Sequence, residues 1–145
     1  MQDLSLHLLD VVENSLRAGA SAVRVLVMED RALDRLVLEV VDDGPGMDPE
    51  TAARALDPLF TTKPDKVYGL GLPMLAQEAR VAVGRVTLGR GDPGGLRVRA
   101  EFRLSHPDCR PLGDLEGTVA MMQSAHPEVE FRYRHTVTGA PEETR

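Results

Sequence analysis

The stretch Asp42, Asp43, Gly44, Pro45, Gly46 and Met47 follows directly on the apolar run Leu36 to Val41. A buried strand ending in two carboxylates and two glycines sets acceptor groups at a cleft edge, on a backbone free to take unusual dihedrals. This predicts a binding loop. In isolation the same residues describe any solvated turn after a strand, so the loop gains meaning only from what surrounds it.

The chain has 145 residues and a mass of 15.8 kDa, enough for one domain that buries about two thirds of its unfolded surface. Its 42% hydrophobic and 28% charged residues are incompatible with a disordered chain. A net charge of −6 and the lack of a basic stripe argue against nucleic acid as a partner. Lys63 and Lys66 are the only lysines beside many arginines, and Cys109 alone allows no internal disulfide. No apolar stretch is long enough for a membrane span, and no signal peptide is recognisable, so a cytoplasmic location without membrane contact is expected.

Residues 3–18 read as an amphipathic helix with Leu4, Leu8, Val11, Val12 and Leu16 on one face and Asp3, His7, Asp10 and Asn14 on another. Gly19 suits its end. Ala22–Met28 and Leu36–Val41 are expected to form an antiparallel hairpin whose second strand is central. Asp48 and Pro49 resemble a cap and first helical position, opening a short helix to about residue 56. Residues 58–68 hold no period and read as a lid loop, followed by a helix over 70–81. Arg85–Gly89 and Leu96–Leu104 suggest a second hairpin. Leu112, Leu115, Val119 and Met122 predict a helix over 112–124, and the alternation of Val129, Phe131, Tyr133, His135 and Val137 predicts a strand.

Three segments then fall in a telling order: Asp10, Glu13 and Asn14 on the first helix, Asp42 to Met47 after the central strand, and Phe60, Thr61, Thr62, Lys63 with Gly69, Leu70, Gly71, Leu72 downstream. Together they resemble the nucleotide-binding boxes of the GHKL superfamily, the gyrase, Hsp90, histidine kinase and MutL ATPase domains. The run from Glu13 to Ala20 is similar to the MutL N-box. The resemblance spans about residues 4–104 and implies a Bergerat fold, an α+β two-layer sandwich with a mixed, mainly antiparallel sheet and helices on one face. The expected domain covers residues 1–137, with a core of 4–104, an added helix and strand in 112–137, and a loose tail over 138–145.

In such a domain Asp42 accepts a hydrogen bond from the exocyclic amine of adenine, a contact that guanine's carbonyl cannot make. Asn14 is the expected ligand of Mg2+, which needs few protein ligands because it keeps waters and phosphate oxygens. Asp10, one helical turn before Asn14, stands where hydrolytic relatives and anti-sigma-factor serine kinases carry a glutamate as general base, so it is the catalytic candidate. Gly44, Gly46 and Met47 shape the adenine side, and Phe60, Thr62 and Lys63 belong to the lid. Gly69, Leu70, Gly71 and Leu72 open a helix whose free N–H groups suit phosphates. ATP and Mg2+ are therefore the expected cofactors. A protein partner is expected as acceptor or client, and a homodimer is allowed.

The sequence departs from the family in several ways. No dimerisation helix with a phosphoacceptor histidine precedes the N-box, so a stand-alone phosphotransferase or regulatory ATP-binding subunit is expected rather than a complete histidine kinase. A true ATPase and a nucleotide sensor are the alternatives. His7 lies inside the N-box helix and is assigned a structural role. The lid is short, and Leu96 stands where a threonine that supports the adenine site would follow Gly95. Most relatives also have a strand before the N-box helix, and the strand at 129–137 is expected to take that sheet edge.

Overall fold

The computed structural model describes residues 4–47, 50, 52, 71–90, 94–106 and 113–139. Helix α1 (Leu4–Arg17) is followed by strands β1 (Ala22–Asp30) and β2 (Arg35–Asp42), helix α2 (Gly71–Val81), strands β3 (Arg85–Arg90) and β4 (Leu96–Arg103), helix α3 (Leu115–Ala125) and strand β5 (Glu130–Thr138). The sheet runs β3-β4-β2-β1-β5. Its pairs are antiparallel except β1 with β5, which is parallel. The result is an α+β architecture of the kind expected, and the strand from the chain's far end lies along β1.

Helix α1 forms because Leu4, Leu8, Val11 and Val12 fall on one stripe, and all four are buried. It stops where Gly19 turns left-handed at φ +90°, while the amides of Ala18 and Ala20 return to the carbonyls of Asn14 and Ser15. The same side of the sheet supplies Val23, Val25 and Val27 from β1, Leu36, Leu38 and Val40 from β2, and Val98, Ala100 and Phe102 from β4. Leu75, Ala76 and Ala79 of α2 and Leu115, Val119 and Met122 of α3 close over it. Each large apolar side chain so buried contributes about 1.5 to 3 kcal/mol. The three helices named above thus share one face of the sheet.

Helix α3 is tied to its strand by a single side chain. Gln123 donates from Nε2 to the carbonyls of Val129 (2.7 Å) and His126 (3.3 Å), and its Oε1 accepts from the Phe131 amide (3.1 Å). Asp114 caps the helix by accepting from Gly117 N at 2.9 Å. The helix therefore starts later than the apolar spacing from Leu112 suggested.

Alternation leaves the other face of the sheet to polar residues. There Glu39, buried at the centre of β2, accepts from Arg97 at 2.7 and 3.1 Å and from Arg99 at 2.6 Å. Burial pushes the Glu39 carboxyl up, but the hydrogen bonds and charges of the two arginines outweigh it and hold the group below its ordinary value. Asp34 is lowered mainly by the Ser105 hydroxyl, and Asp43 mainly by the Ser21 hydroxyl. On acidification the unfolded chain therefore takes up protons first, so the stability these carboxylates supply is full above about pH 5 and fades below it. The melting temperature is expected to fall steadily between about pH 5 and pH 3. A flat profile across that window would count against these pairings.

Candidate functional site

The end of β2 and the start of β4 lie side by side, and Asp42 is the residue they share. The residue is 5% exposed. Oδ2 accepts from the Ser15 hydroxyl at 2.5 Å, while Oδ1 accepts from the Gly44 amide at 2.9 Å and the Leu96 amide at 3.1 Å. Helix α1, the loop and β4 thereby fix the carboxylate from three directions. A charged acceptor with three local donors keeps its orientation and retains lone pairs for one more donor.

The glycines hold the loop against this group. Gly95 takes φ +88°, and a Cβ there would lie 2.1 Å from the Asp42 carbonyl oxygen and 2.8 Å from Oδ1. Gly46 takes φ +75°, and its Cβ would meet the Gly95 carbonyl oxygen at 2.9 Å. Glycine is required at both positions. Asp43 braces the loop from outside, accepting from Ser21 N at 2.8 Å, Ser21 Oγ at 2.6 Å and Ala22 N at 2.9 Å.

Beside this assembly is a cavity of about 400 Å³, lined by Gly46, Met47, Leu88, Arg90, Gly95 and Leu96 among others. Met47 also packs against the core. Gly95 and Leu96 of its lining also touch the buried Asp42 carboxylate, so an anionic acceptor stands next to a partly apolar cavity. That combination suits a flat ring carrying an amino group.

Asn14 is buried on α1, and its Oδ1 accepts from Arg17 Nη1 at 3.0 Å. Asp10 stands one turn earlier and is exposed. His7 is 3% exposed although its spacing set it on the polar face with Asp10, so that face is only partly turned to solvent. Gly71 begins α2. Phe60, Thr62, Lys63, Gly69 and Leu70 lie outside the described residues, as do Asp48 and Pro49. The structure thus joins Asp42, Gly44, Gly46 and Met47 in one place.

One contributor, Ser15, was not singled out by sequence, and two, Gly95 and Leu96, were set beside the adenine site only by the resemblance. Ser15 follows Asn14 and so points to a different side of the helix, and its partner is 27 positions away. The glycine of the Gly94–Gly95 pair that touches Asp42, and the Leu96 amide, act through backbone. Leu96 lacks the hydroxyl expected beside the adenine site, and here the hydroxyl on Asp42 comes from Ser15.

Among the described residues no helix is long and apolar enough to cross a membrane, and no three His, Cys, Asp or Glu side chains converge to hold a metal. A cation at Asn14 would need ligands from a phosphate and water, which is the habit of Mg2+.

Comparison with known proteins agrees with this geometry. Sensor protein kinase PilS of Pseudomonas aeruginosa is 33% identical over 103 residues, which is 68% of this chain and 19% of that protein. The matched segment thus spans about a fifth of that relative's length. The ATP-binding domain of PrrB from Mycobacterium tuberculosis superposes with a TM-score of 0.55 at 20% identity, covering 68% of this chain and 64% of that one. The MutL ATPase domain of Aquifex aeolicus, complexed with ADP, gives 0.56 at 14% identity and covers 99% of this chain and 67% of that one. The family model described as histidine kinase-, DNA gyrase B- and HSP90-like ATPase matches residues 2–106, and the chain belongs to that family.

Proposed function

We propose that this chain binds Mg-ATP and serves as the ATP-binding part of a protein phosphotransfer system, as catalyst or as regulatory subunit. The observation that carries the reading is the buried Asp42 carboxylate, held by Ser15, Gly44 and Leu96 next to a cavity that Gly95 and Leu96 line. Its fixed acceptor favours adenine, because an amine can donate to it and a carbonyl cannot. Met47 and Leu96 would flank the ring, and the N-terminus of α2 at Gly71 would receive phosphate oxygens. Magnesium, when present, would neutralise phosphate charge, and Asn14 is the residue that would face it. Its amide oxygen accepts one hydrogen bond from Arg17 and keeps a second lone pair for the ion.

Asp10 is the residue we assign to accept a proton from a hydroxyl brought to the terminal phosphate, a role supported by its exposure and its position one turn before Asn14. The same position favours a second reading, an ATPase in which the hydroxyl belongs to water.

The two readings separate by the fate of the terminal phosphate. With magnesium and ATP labelled on that phosphate, the phosphotransfer reading expects label to stay on ATP until an acceptor protein is supplied. Release as free phosphate, abolished by Asp10→Ala, would establish the ATPase instead. Asp10→Ala is expected to keep ATP affinity within about twofold while lowering turnover by about 10²- to 10⁴-fold. Loss of binding in that variant would remove Asp10 from the catalytic role. Absence of ATP binding in calorimetry would end both readings.

A further inference from the structure

The sheet order β3-β4-β2-β1-β5 leaves β3 and β5 as edges. Strand β3 is six residues long and carries Gly89 near its end. Strand β5 runs nine residues, contains no proline or glycine, and pairs with β1 without a break from Glu130 to Thr138. A long, regular edge of this kind presents a row of main-chain donors and acceptors.

The bonds to β1 fix which residues of β5 turn outward. The Glu130 amide donates to the Ser21 carbonyl at 2.9 Å, and the Thr138 carbonyl accepts from the Arg31 amide at 2.9 Å. The ladder therefore uses residues 130, 132, 134, 136 and 138, and the main-chain groups of the residues between them point away from β1. Gln123 agrees with this assignment, since its Oε1 accepts from the outward Phe131 amide and its Nε2 donates to the Val129 carbonyl. Beyond that point, Tyr133, His135 and Val137 make no main-chain hydrogen bond on the outer side among the described residues. Gly139, at φ +69°, ends the strand. The open stretch is consequently 132–138, and its midpoint is His135.

We propose that β5 pairs antiparallel with β5 of a second copy of this chain, about a two-fold axis at His135, so that one sheet runs through two protomers. In this register Tyr133 lies opposite Val137 of the other copy, and Arg132 and Arg134 lie opposite its Thr138 and Thr136. Each outward residue exchanges two hydrogen bonds with the residue it faces, which uses every open donor and acceptor of Tyr133, His135 and Val137. Val137, 45% exposed in the single chain, gains the tyrosine ring as cover. The His135 side chain keeps Glu29 of its own chain as partner at 2.5 Å.

Neighbouring registers fit less well. An axis at Arg134 sets two guanidinium groups opposite one another and calls on the Phe131 amide that Gln123 already holds. An axis at Thr136 runs Tyr133 against Gly139, where the strand has ended. The stretch is thus complementary to itself about one point, which is the requirement of a two-fold interface and the reason the occupant is a second copy.

The test is sedimentation velocity on the full chain at about 5 to 200 µM, since a single strand pair is a small interface of micromolar stability. A reversible shift from 15.8 kDa toward twice that mass is expected. Added salt should leave it in place, because the contacts are main-chain and apolar. Val137→Pro removes one outward donor without touching the β1 ladder, and Val137→Lys puts a charge on the edge. Each should weaken dimerisation at least about tenfold. Met74→Lys, the same change at an apolar residue of α2 that is 44% exposed, should leave it unchanged. Circular dichroism checks folding, and the lysine variant carries the test if the proline variant loses structure. Amide exchange at Tyr133, His135 and Val137 should slow as the concentration of the unmodified chain rises. The proposal is overturned by a chain that stays monomeric across that range, or by a dimer that the folded Val137 variants form as well as the unmodified chain does. It is equally overturned by matching weakening in Met74→Lys, or by a dimer whose exchange at these three amides does not depend on concentration.

Discussion

Asp42→Asn is expected to lower ATP affinity by about 10- to 150-fold, because a hydrogen bond to a charged partner is worth about 1.5 to 3 kcal/mol. The substitution keeps the volume and most of the local bonding. The asparagine carbonyl oxygen can accept from the Gly44 and Leu96 amides, as Oδ1 of Asp42 does, and its amino group can donate to Ser15 Oγ. That arrangement turns a donor toward the adenine amine, and two donors repel. The fold should survive, so calorimetric titration with ATP reports recognition separately from stability, with circular dichroism as the control. Discrimination against GTP should relax in the same variant, since the asparagine donor can face guanine's carbonyl. Unchanged ATP affinity would falsify the assignment of Asp42 to adenine.

Gly95→Ala is expected to be strongly destabilising, costing about 2 to 5 kcal/mol of stability. Two causes add. An alanine at φ +88° is strained whatever the surrounding space, and its Cβ would fall inside contact distance of the Asp42 carbonyl oxygen and carboxylate. The relief available is to move β4 away from β2, which breaks the Leu96 bond to Asp42 and opens the core near Val40 and Val98. Gly89→Ala is the matched control, because nothing lies within 4 Å of a Cβ there. Urea unfolding should show a large drop in midpoint for the first and little change for the second. Equal midpoints would mean that β4 can shift at no cost, and the rigid seat described for Asp42 would be lost.

Much of the fold was legible because single elements carry their own periods. Leu4, Leu8, Val11 and Val12 announce α1 by spacing, and Leu36 to Val41 announces a central strand. The Bergerat architecture followed from the order of three short segments. What spacing cannot convey is who stands next to whom. Alternation at Phe131 and Tyr133 shows which side faces the core, but nothing in it specifies β1 as neighbour or a parallel direction. His7 shares a helical face with the exposed Asp10 and is nevertheless buried, since a helix facing two neighbours has more than one inner side. In the site, Asp42 was visible because a side chain performs the contact. Gly95 and the Leu96 amide act through main chain, which leaves no mark in side-chain type beyond the glycine itself. Ser15 was hidden in another way, since a serine on a helix usually caps or faces water, and only the approach of β2 gives its hydroxyl a carboxylate.

The parallel pairing of β1 with β5 also has a history in the making of the protein. Glu29 and His135 meet across 106 positions of sequence. The hairpin of β1 and β2 can close soon after it is synthesised, yet the outer edge of β1 stays without its neighbour until β5 emerges. At about 5 to 20 residues per second this lasts on the order of ten seconds. During that interval the backbone of Val23, Val25 and Val27 offers free hydrogen-bonding groups to any other extended chain. β5 therefore acts as a sealing strand, and chains halted before it are the ones from which self-association should begin.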